Sequence, residues 1–474
     1  MTTFSADPSR RAFLRSALAS GLLVVPGSAV LAGCATAGGG GNPEQAKGAQ
    51  SKDNPLGVDA GAGLEVVMFD GGLKTSLPEV QATYTKLFPN AKINLTSTVN
   101  INSLQPRFSG GNPPDVIDDS GAQKIPLATL VGGGQLTDLG PLLDAPSLAD
   151  PSKKVRDTVV PETIDAGSFD GRTYVINYAL YVYGLWYSAP LFAKNGWKFP
   201  TMWSDFVALG EEMKKAGLSP MAYGGTNAAQ YVTEMLLTMA GKAGGSEVLL
   251  NIDNLAPGAW KHDAVKNAAT AVEEAARKGF FLPGSPGLKH TQAQTEFVNG
   301  KVACYASGSW LENEMKTVSP KGFDMVMAPT PRLDNSDKLP VETLHSNPGE
   351  SFIVPAKARN ARGGLEFLRH MLHPDNAAAF SKLTANLTIV KEGNTRVQSD
   401  STALKSVNDS LKAAGSNTLN FLSLVWYGDL NKGAIKATSD LLTGRTNADG
   451  FVSAMQTTAD KVAGDANVKK YKRG

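Results

Sequence analysis

The first 34 residues constrain this chain more than any other stretch, because they decide which residues are left to fold. Ser9-Arg10-Arg11-Ala12-Phe13-Leu14 is a twin-arginine export pattern, and an apolar run from Ala17 to Val30 follows it directly. That run falls short of the roughly 20 residues a helix needs to cross a bilayer. It ends in Leu31-Ala32-Gly33-Cys34, small residues ahead of a cysteine whose thiol can accept a diacylglycerol. The pattern predicts removal of residues 1–33, a signal peptide, and lipidation at Cys34. The body is then exported and held at the outer face of the cell membrane. Of two cysteines only Cys304 remains as a thiol, so no intramolecular disulfide can form in an oxidising compartment. The fold must stand on its core.

From Ala35 to about Ala62 the chain is rich in Gly, Ala, Asn, Gln and Lys. That composition predicts a flexible tether over 34–62, with the folded body starting near Gly63. Without residues 1–33 the chain carries 43 Lys+Arg and 43 Asp+Glu. A neutral balance offers no basic excess for a row of phosphates and excludes strong electrostatic binding to nucleic acid. Two cysteines also exclude a Cys-rich metal centre.

The body opens with Leu64–Phe69 (LEVVMF), an apolar run that predicts a buried strand. Val80, Tyr84 and Leu87 recur at helical spacing after Pro78, Ile93 and Leu95 begin a second strand, and Asp115-Val116-Ile117 form a third. Strand, helix, strand, loop, strand is an α/β signature. Further along, Met202, Phe206, Leu209 and Met213 mark a helix between a Thr201 cap and Gly217. Thr291 and Gln294 are spaced as a capping box for a helix ending near Gly300, and Val302–Ala306 reads as a buried strand. Arg362 to His373 reads as a helix stopped by Pro374. Two α/β lobes are the architecture expected.

Ten of the 35 aromatic residues fall between Tyr174 and Trp203. Tyr181, Tyr183 and Tyr187 share one parity and in a strand would point to one face. Most of this cluster reads as core, but tyrosine hydroxyls favour half-wet surfaces. Known chemistry is largely missing. His370-x-x-His373 lacks further ligands and suits a helix end, so no metal is expected. No phosphate-binding glycine loop follows a strand, no cofactor is implied, and no G-x-S-x-G elbow occurs. A hydrolytic carboxylate pair among Asp70, Asp118, Asp119 and Glu350 stays open, because all four lie at expected strand ends or loops. Carboxylates beside isolated Trp and Tyr also suit a sugar, whose C–H face stacks on rings and whose hydroxyls donate to acids.

At larger scale the stretch from about Leu64 to Val462 resembles the solute-binding lipoproteins of bacterial carbohydrate ABC transporters, the maltose-binding-protein-like group. The matching stretches are Pro113–Ile117, Phe169-Asp170-Gly171 leading to Tyr183–Ser188, Ala293–Ala303, and Ser307-Gly308-Ser309-Trp310. Within the group, Val67–Gly72, Leu104–Phe108, Leu136–Leu139 with Leu142–Leu148, and Pro348–Pro355 are most similar to lipoproteins that bind N-acetylglucosamine or diacetylchitobiose. The resemblance implies a periplasmic-binding-protein-like fold with hinge strands and an interlobe ligand cleft. Lobe 1 would comprise 63–175 and 330–395, and lobe 2 would comprise 184–328 and 400–465. It implies a monomer that hands a sugar to the permease subunits of an ABC importer, with no enzymatic activity.

Residue by residue, the resemblance places Asp70 and Gly71 after the first strand and Asp119 and Ser120 after the third, all facing the cleft. Trp310 and Trp426 would be the stacking tryptophans, Tyr178 and Tyr181 would lie in the hinge, Tyr223 in a second-lobe loop and Glu350 in a late cleft loop. Maltose-type members carry charged residues where this chain has Gly72-Leu73, which argues against a maltodextrin. Rival readings are a lipid-anchored glycoside hydrolase and a binding protein for another oligosaccharide. A peptide, polyamine or anion binder is a further rival, and would favour acidic or Arg-rich clefts.

Overall fold

Near-continuous apolar runs become buried strands here, as Leu64–Phe69 and Val302–Gly308 do. The computed structural model describes residues 45–70, 77–121, 123–397 and 399–473. The signal segment, Cys34 and Gly71 lie outside the described residues. The strands are β1 (Leu64–Phe69), β2 (Ile93–Thr98), β3 (Val116–Asp118), β4 (Ser168–Phe169), β5 (Arg172–Thr173), β6 (Ile176–Ser188), β7 (Ser219–Ala222), β8 (Val302–Gly308), β9 (Met325–Ala328), β10 (Leu344–Ile353), β11 (Leu387–Thr388) and β12 (Thr418–Leu419). One large mixed sheet runs β2-β1-β3-β10-β6-β8-β7, while β4 and β5 form a separate hairpin.

The 13-residue β6 organises the sheet. Its first half, from Ile176 to Tyr183, pairs antiparallel with β10, and Leu180 and Ala179 pair with β11. Its second half, from Tyr183 to Ser188, pairs with β8 on one side and β9 on the other. The parallel β1–β2 and β1–β3 pairs stand at one end, and the parallel β7–β8 pair at the other. The strand therefore passes from one set of neighbours to another, a two-lobed α/β arrangement joined by shared strands.

Helix Leu77–Leu87 buries Val80 and Tyr84 in a core with Val66, Met68, Phe352 and Phe367. Helices Gln230–Gly244, Asp263–Arg277, Gly428–Leu442 and Ala448–Gly464 share a second core, built around Leu236, Val272, Leu441 and Phe451. A Trp203–Phe206 stack continues it, and Phe199 packs on Phe206 and Tyr187. Most of the aromatic-rich stretch is thus core. Cys304 is buried in β8 as a small apolar residue, with its thiol pushed up by burial.

Four local expectations change. The described part of the expected tether, 45–62, lies against the body. Ala46 N–H donates to the Arg359 carbonyl (2.9 Å), and Leu56 and Val58 are buried. Two apolar residues and a few backbone bonds outweigh an otherwise polar composition. Thr201 caps nothing, because helix Trp203–Lys215 starts after Met202 with no side-chain cap. The Thr291–Gln294 box is likewise not the cap used. Helix His290–Val298 begins two residues earlier, with Lys289 as its cap, whose N–H donates to Gln292 Oε1 (2.8 Å). Finally, Pro374 both ends helix Ala361–Met371 and opens helix Pro374–Thr384, whose fixed φ suits a first turn.

Candidate functional site

The end of β3, the interiors of β10 and β6, the turn just past β8 and the start of helix Gln230–Gly244 bring the site together. After β3, Asp118 and Asp119 are fully buried and Ser120 nearly so. Adjacent acids on a strand point to opposite faces, and the two make different bonds. Asp118 Oδ1 accepts from Ser120 Oγ (2.5 Å), while Asp119 Oδ1 accepts from the Ile125 N–H (2.7 Å). Ser120 Oγ in turn accepts from the Ser351 N–H (2.9 Å), tying this corner to β10. Oδ2 of each aspartate meets no N–H or O–H donor among the described residues.

Glu350 sits opposite. Its φ is +54°, a left-handed conformation rare for a side chain of this size, held between the ladder pairs Gly349–Ala179 and Ser351–Asn177. The strain turns the Glu350 carboxyl toward Tyr181, whose hydroxyl donates to Oε1 (2.5 Å), and into hydrogen-bond contact with the Asp118 carboxyl. Burial raises the Asp118 pKa well above the usual carboxylate range, and the neighbouring Glu350 charge raises it further. Burial raises Glu350 too, and lifts Asp119 to about 6.

The second wall is aromatic. Trp310, just past β8, meets Tyr181 (5.0 Å between ring centres) and Tyr183 (5.2 Å) edge-on and Tyr231 (5.5 Å) at a tilt. Two glycines make this approach possible. A Cβ on Gly308 would fall 2.0 Å from the Trp310 ring, and one on Gly349 would fall 2.3 Å from the Tyr181 ring. Below the wall, His345 is sandwiched between Tyr183 (4.1 Å) and Phe421 (3.8 Å), and burial lowers its pKa to about 3. Glu234, one turn along the helix from Tyr231, is pushed up to about 8 by burial. Tyr181 links the two walls, its hydroxyl on the acids and its ring on the tryptophan.

The expected site residues divide accordingly. Ser120, Tyr181, Glu350 and Trp310 come together, while Asp119 turns to the other face of β3, its carboxyl fully buried on the Ile125 N–H. Asp70 is exposed at the end of β1, where its N–H donates to the Thr98 carbonyl (2.9 Å). Tyr178 is instead a core residue. It packs on Phe352 and Phe380, and its hydroxyl donates to the Met371 carbonyl (2.9 Å). The reason is parity, since it stands three positions before Tyr181 and a strand turns the two to opposite faces. Tyr223 is also buried, edge-on to Phe281 (5.6 Å). Trp426 is half-buried against Tyr471 (5.6 Å) and Tyr427 (6.3 Å), apart from the Trp310 cluster.

Tyr231, Glu234 and His345 are not among the expected site residues, and Asp118 enters the expectations only as a possible hydrolytic acid. Tyr183 shares the parity of Tyr181 and so carried a signal. Tyr231, Glu234 and His345 carried none, because only the fold brings a helix start and a buried imidazole to Trp310 and Tyr183. His370 faces Thr83 Oγ1 (3.2 Å) and the buried Glu366–Arg369 pair. Among the described residues no cluster of three or more His, Cys, Asp or Glu could hold a metal ion.

Residues 71–378 match the family described as bacterial extracellular solute-binding protein. Over 477 residues, spanning all of both chains, the sequence is 36% identical to the diacetylchitobiose binding protein NgcE of Streptomyces coelicolor. A solved chitin oligosaccharide binding protein superposes with a TM-score of 0.68 at 18% identity, covering 84% of this chain and 98% of its own. Apo RafE from Streptococcus pneumoniae superposes with a TM-score of 0.67 at 17% identity, covering 85% and 98%. At such identities these two structures speak for the fold, which is the two-lobed arrangement described above.

Proposed function

The chain belongs to the bacterial extracellular solute-binding protein family, and from that premise we propose that it is the sugar-binding component of an ABC importer, with N-acetylglucosamine or diacetylchitobiose as ligand. The observation that carries this reading is the full-length 36% identity to a diacetylchitobiose binding protein. The geometry fits such a ligand. Trp310 and its tyrosines offer flat apolar surface for a pyranose face and an acetamido methyl. Ser120 and Glu350 offer partners for hydroxyls and the amide. A site built around an amide leaves polar groups unpaired when offered plain glucose units, which gives strong discrimination.

The two lobes close on the sugar, so that both walls touch it only in the closed form. Asp70 and Gly71 complete the proposed ligand set. The protein acts as a monomer, anchored through lipid on Cys34 at the outer face of the membrane, and passes its sugar to permease subunits. No helix among the described residues is long and apolar enough to cross a membrane. Turnover of glycosides is not part of this reading. The Asp118 and Glu350 carboxyls touch, whereas a hydrolytic pair stands about 5–9.5 Å apart to flank the bond.

Calorimetric titration with N-acetylglucosamine, diacetylchitobiose, cellobiose and maltose tests the proposal. An acetamido sugar should bind most tightly. Tighter binding of cellobiose or maltose would overturn the ligand and leave the sugar-binding reading standing.

A further inference from the structure

Two carboxyls in contact, Asp118 fully buried and Glu350 half-buried, need either a cation or a proton between them. The groups facing the Asp118–Glu350 pair come from four elements. β3 and its following loop supply Asp119, Ser120 and Lys124; β10 supplies Ser351; β6 supplies Tyr181; and the end of β1 supplies the Phe69 backbone. The Tyr181 and Ser120 hydroxyls and the Phe69 N–H each donate to the pair. The Lys124 charge reaches Glu350 but is not paired with it. No metal cluster of three ligands is present among the described residues. Even so, Asp118 Oδ2 is left without a hydrogen-bond partner among the described residues.

We propose that Asp118 and Glu350 share a single proton, and that the cleft which keeps this proton is the one competent to bind sugar. Asp118 is sealed from solvent, so its role is to position Glu350. With one proton held between them, Glu350 keeps its strained conformation and its bond from Tyr181, so its carboxyl stays in place for the ligand. Once that proton is lost, two adjoining negative charges repel, and Glu350 is driven away from Asp118 and from Tyr181. Sugar affinity then falls as pH rises. The inference rests on the sugar-binding reading for its ligand, but the proton itself can be read without any ligand.

The sign for stability is fixed by the direction of the shifts. A carboxyl raised above its unfolded value stays protonated in the native state after the unfolded chain has ionised. The native state then binds more protons, and stability declines with rising pH from the unfolded pKa up to the folded one. Asparagine at position 118 keeps the shape and the Ser120 bond and removes this decline.

The experiment titrates wild type, Asp118→Asn and Glu350→Gln with diacetylchitobiose from about pH 5 to about pH 9, and melts each protein without ligand over the same range. Wild-type affinity should drop by about tenfold or more toward the alkaline end, as expected for loss of one proton over a unit or more of pH. Asp118→Asn should flatten that limb to less than about threefold, and Glu350→Gln should bind more weakly at every pH. Without ligand, Asp118→Asn should melt above wild type at alkaline pH, and the gap should close toward acid. A flat wild-type profile, or the same alkaline limb in Asp118→Asn, overturns the shared proton. Should Asp118→Asn not fold, the melting profile of Glu350→Gln decides, because it removes the same pair. If wild type binds no acetamido sugar at any pH, the ligand reading fails, and the melting curves still settle the proton.

Discussion

Trp310 and Trp426 enter with the same expected task and end in different surroundings. Trp310 lies over Gly308, edge-on to Tyr181 and Tyr183, with its ring tied through Tyr181 to the buried carboxyls. Trp426 rests on Tyr427 and on Tyr471, a residue of the C-terminal segment. That segment is itself pinned, since Arg473 pairs with the buried Asp253 (2.9 Å) and the Tyr471 N–H donates to the Tyr427 hydroxyl (3.0 Å). A tryptophan earns a binding role from what its free face can reach, and residue type does not decide that.

The difference can be broken by measurement. Trp310→Ala should weaken sugar binding most, by about 1.5 kcal/mol or roughly tenfold in Kd, from the lost stacking area. Gly308→Ala comes next. Its new methyl collides with the ring and tilts it, so calorimetry should show a loss of about 1 kcal/mol with Trp310 still present. Trp426→Ala is expected to have the smallest effect on binding, below about 0.5 kcal/mol, while lowering the melting temperature by a few degrees through lost packing on Tyr471. Equal losses for the two tryptophans would erase the distinction and put Trp426 in the contact layer of the cleft. A Gly308→Ala protein with full affinity would mean that the ring orientation at Trp310 is irrelevant.

Much of the site was legible because its motifs have local causes. Gly308-Ser309-Trp310 stands out in the chain because the ring folds back over its own strand and only glycine leaves room. Gly349-Glu350 stands out for the same reason, with Tyr181 as the ring, and the Glu350 strain sits beside it. Tyr178 misled because a hinge assignment names a strand without its facing, and parity alone would have turned it into the core. Trp203, Phe199 and Phe206 behaved as the bland expectation had them, as packing. Tyr223 misled in another way: its loop follows β7, but the ring is spent on Phe281.

Read alone, the chain already settles its α/β class, the alternation of strands and helices, the single thiol of the body and the family it resembles. These follow from periodicity and short motifs, which act over a few residues. Other features exist only once distant segments meet. Asp118 and Glu350 are 232 positions apart and touch because β3 and β10 are neighbours in one sheet. His345 is held neutral by rings from β6 and from Phe421. The packing of 45–62 onto the body rests on Arg359, more than 300 positions downstream. Burial and contact set the charge of an acid and the reach of a ring, and both are properties of the assembled sheet that no local window of sequence contains.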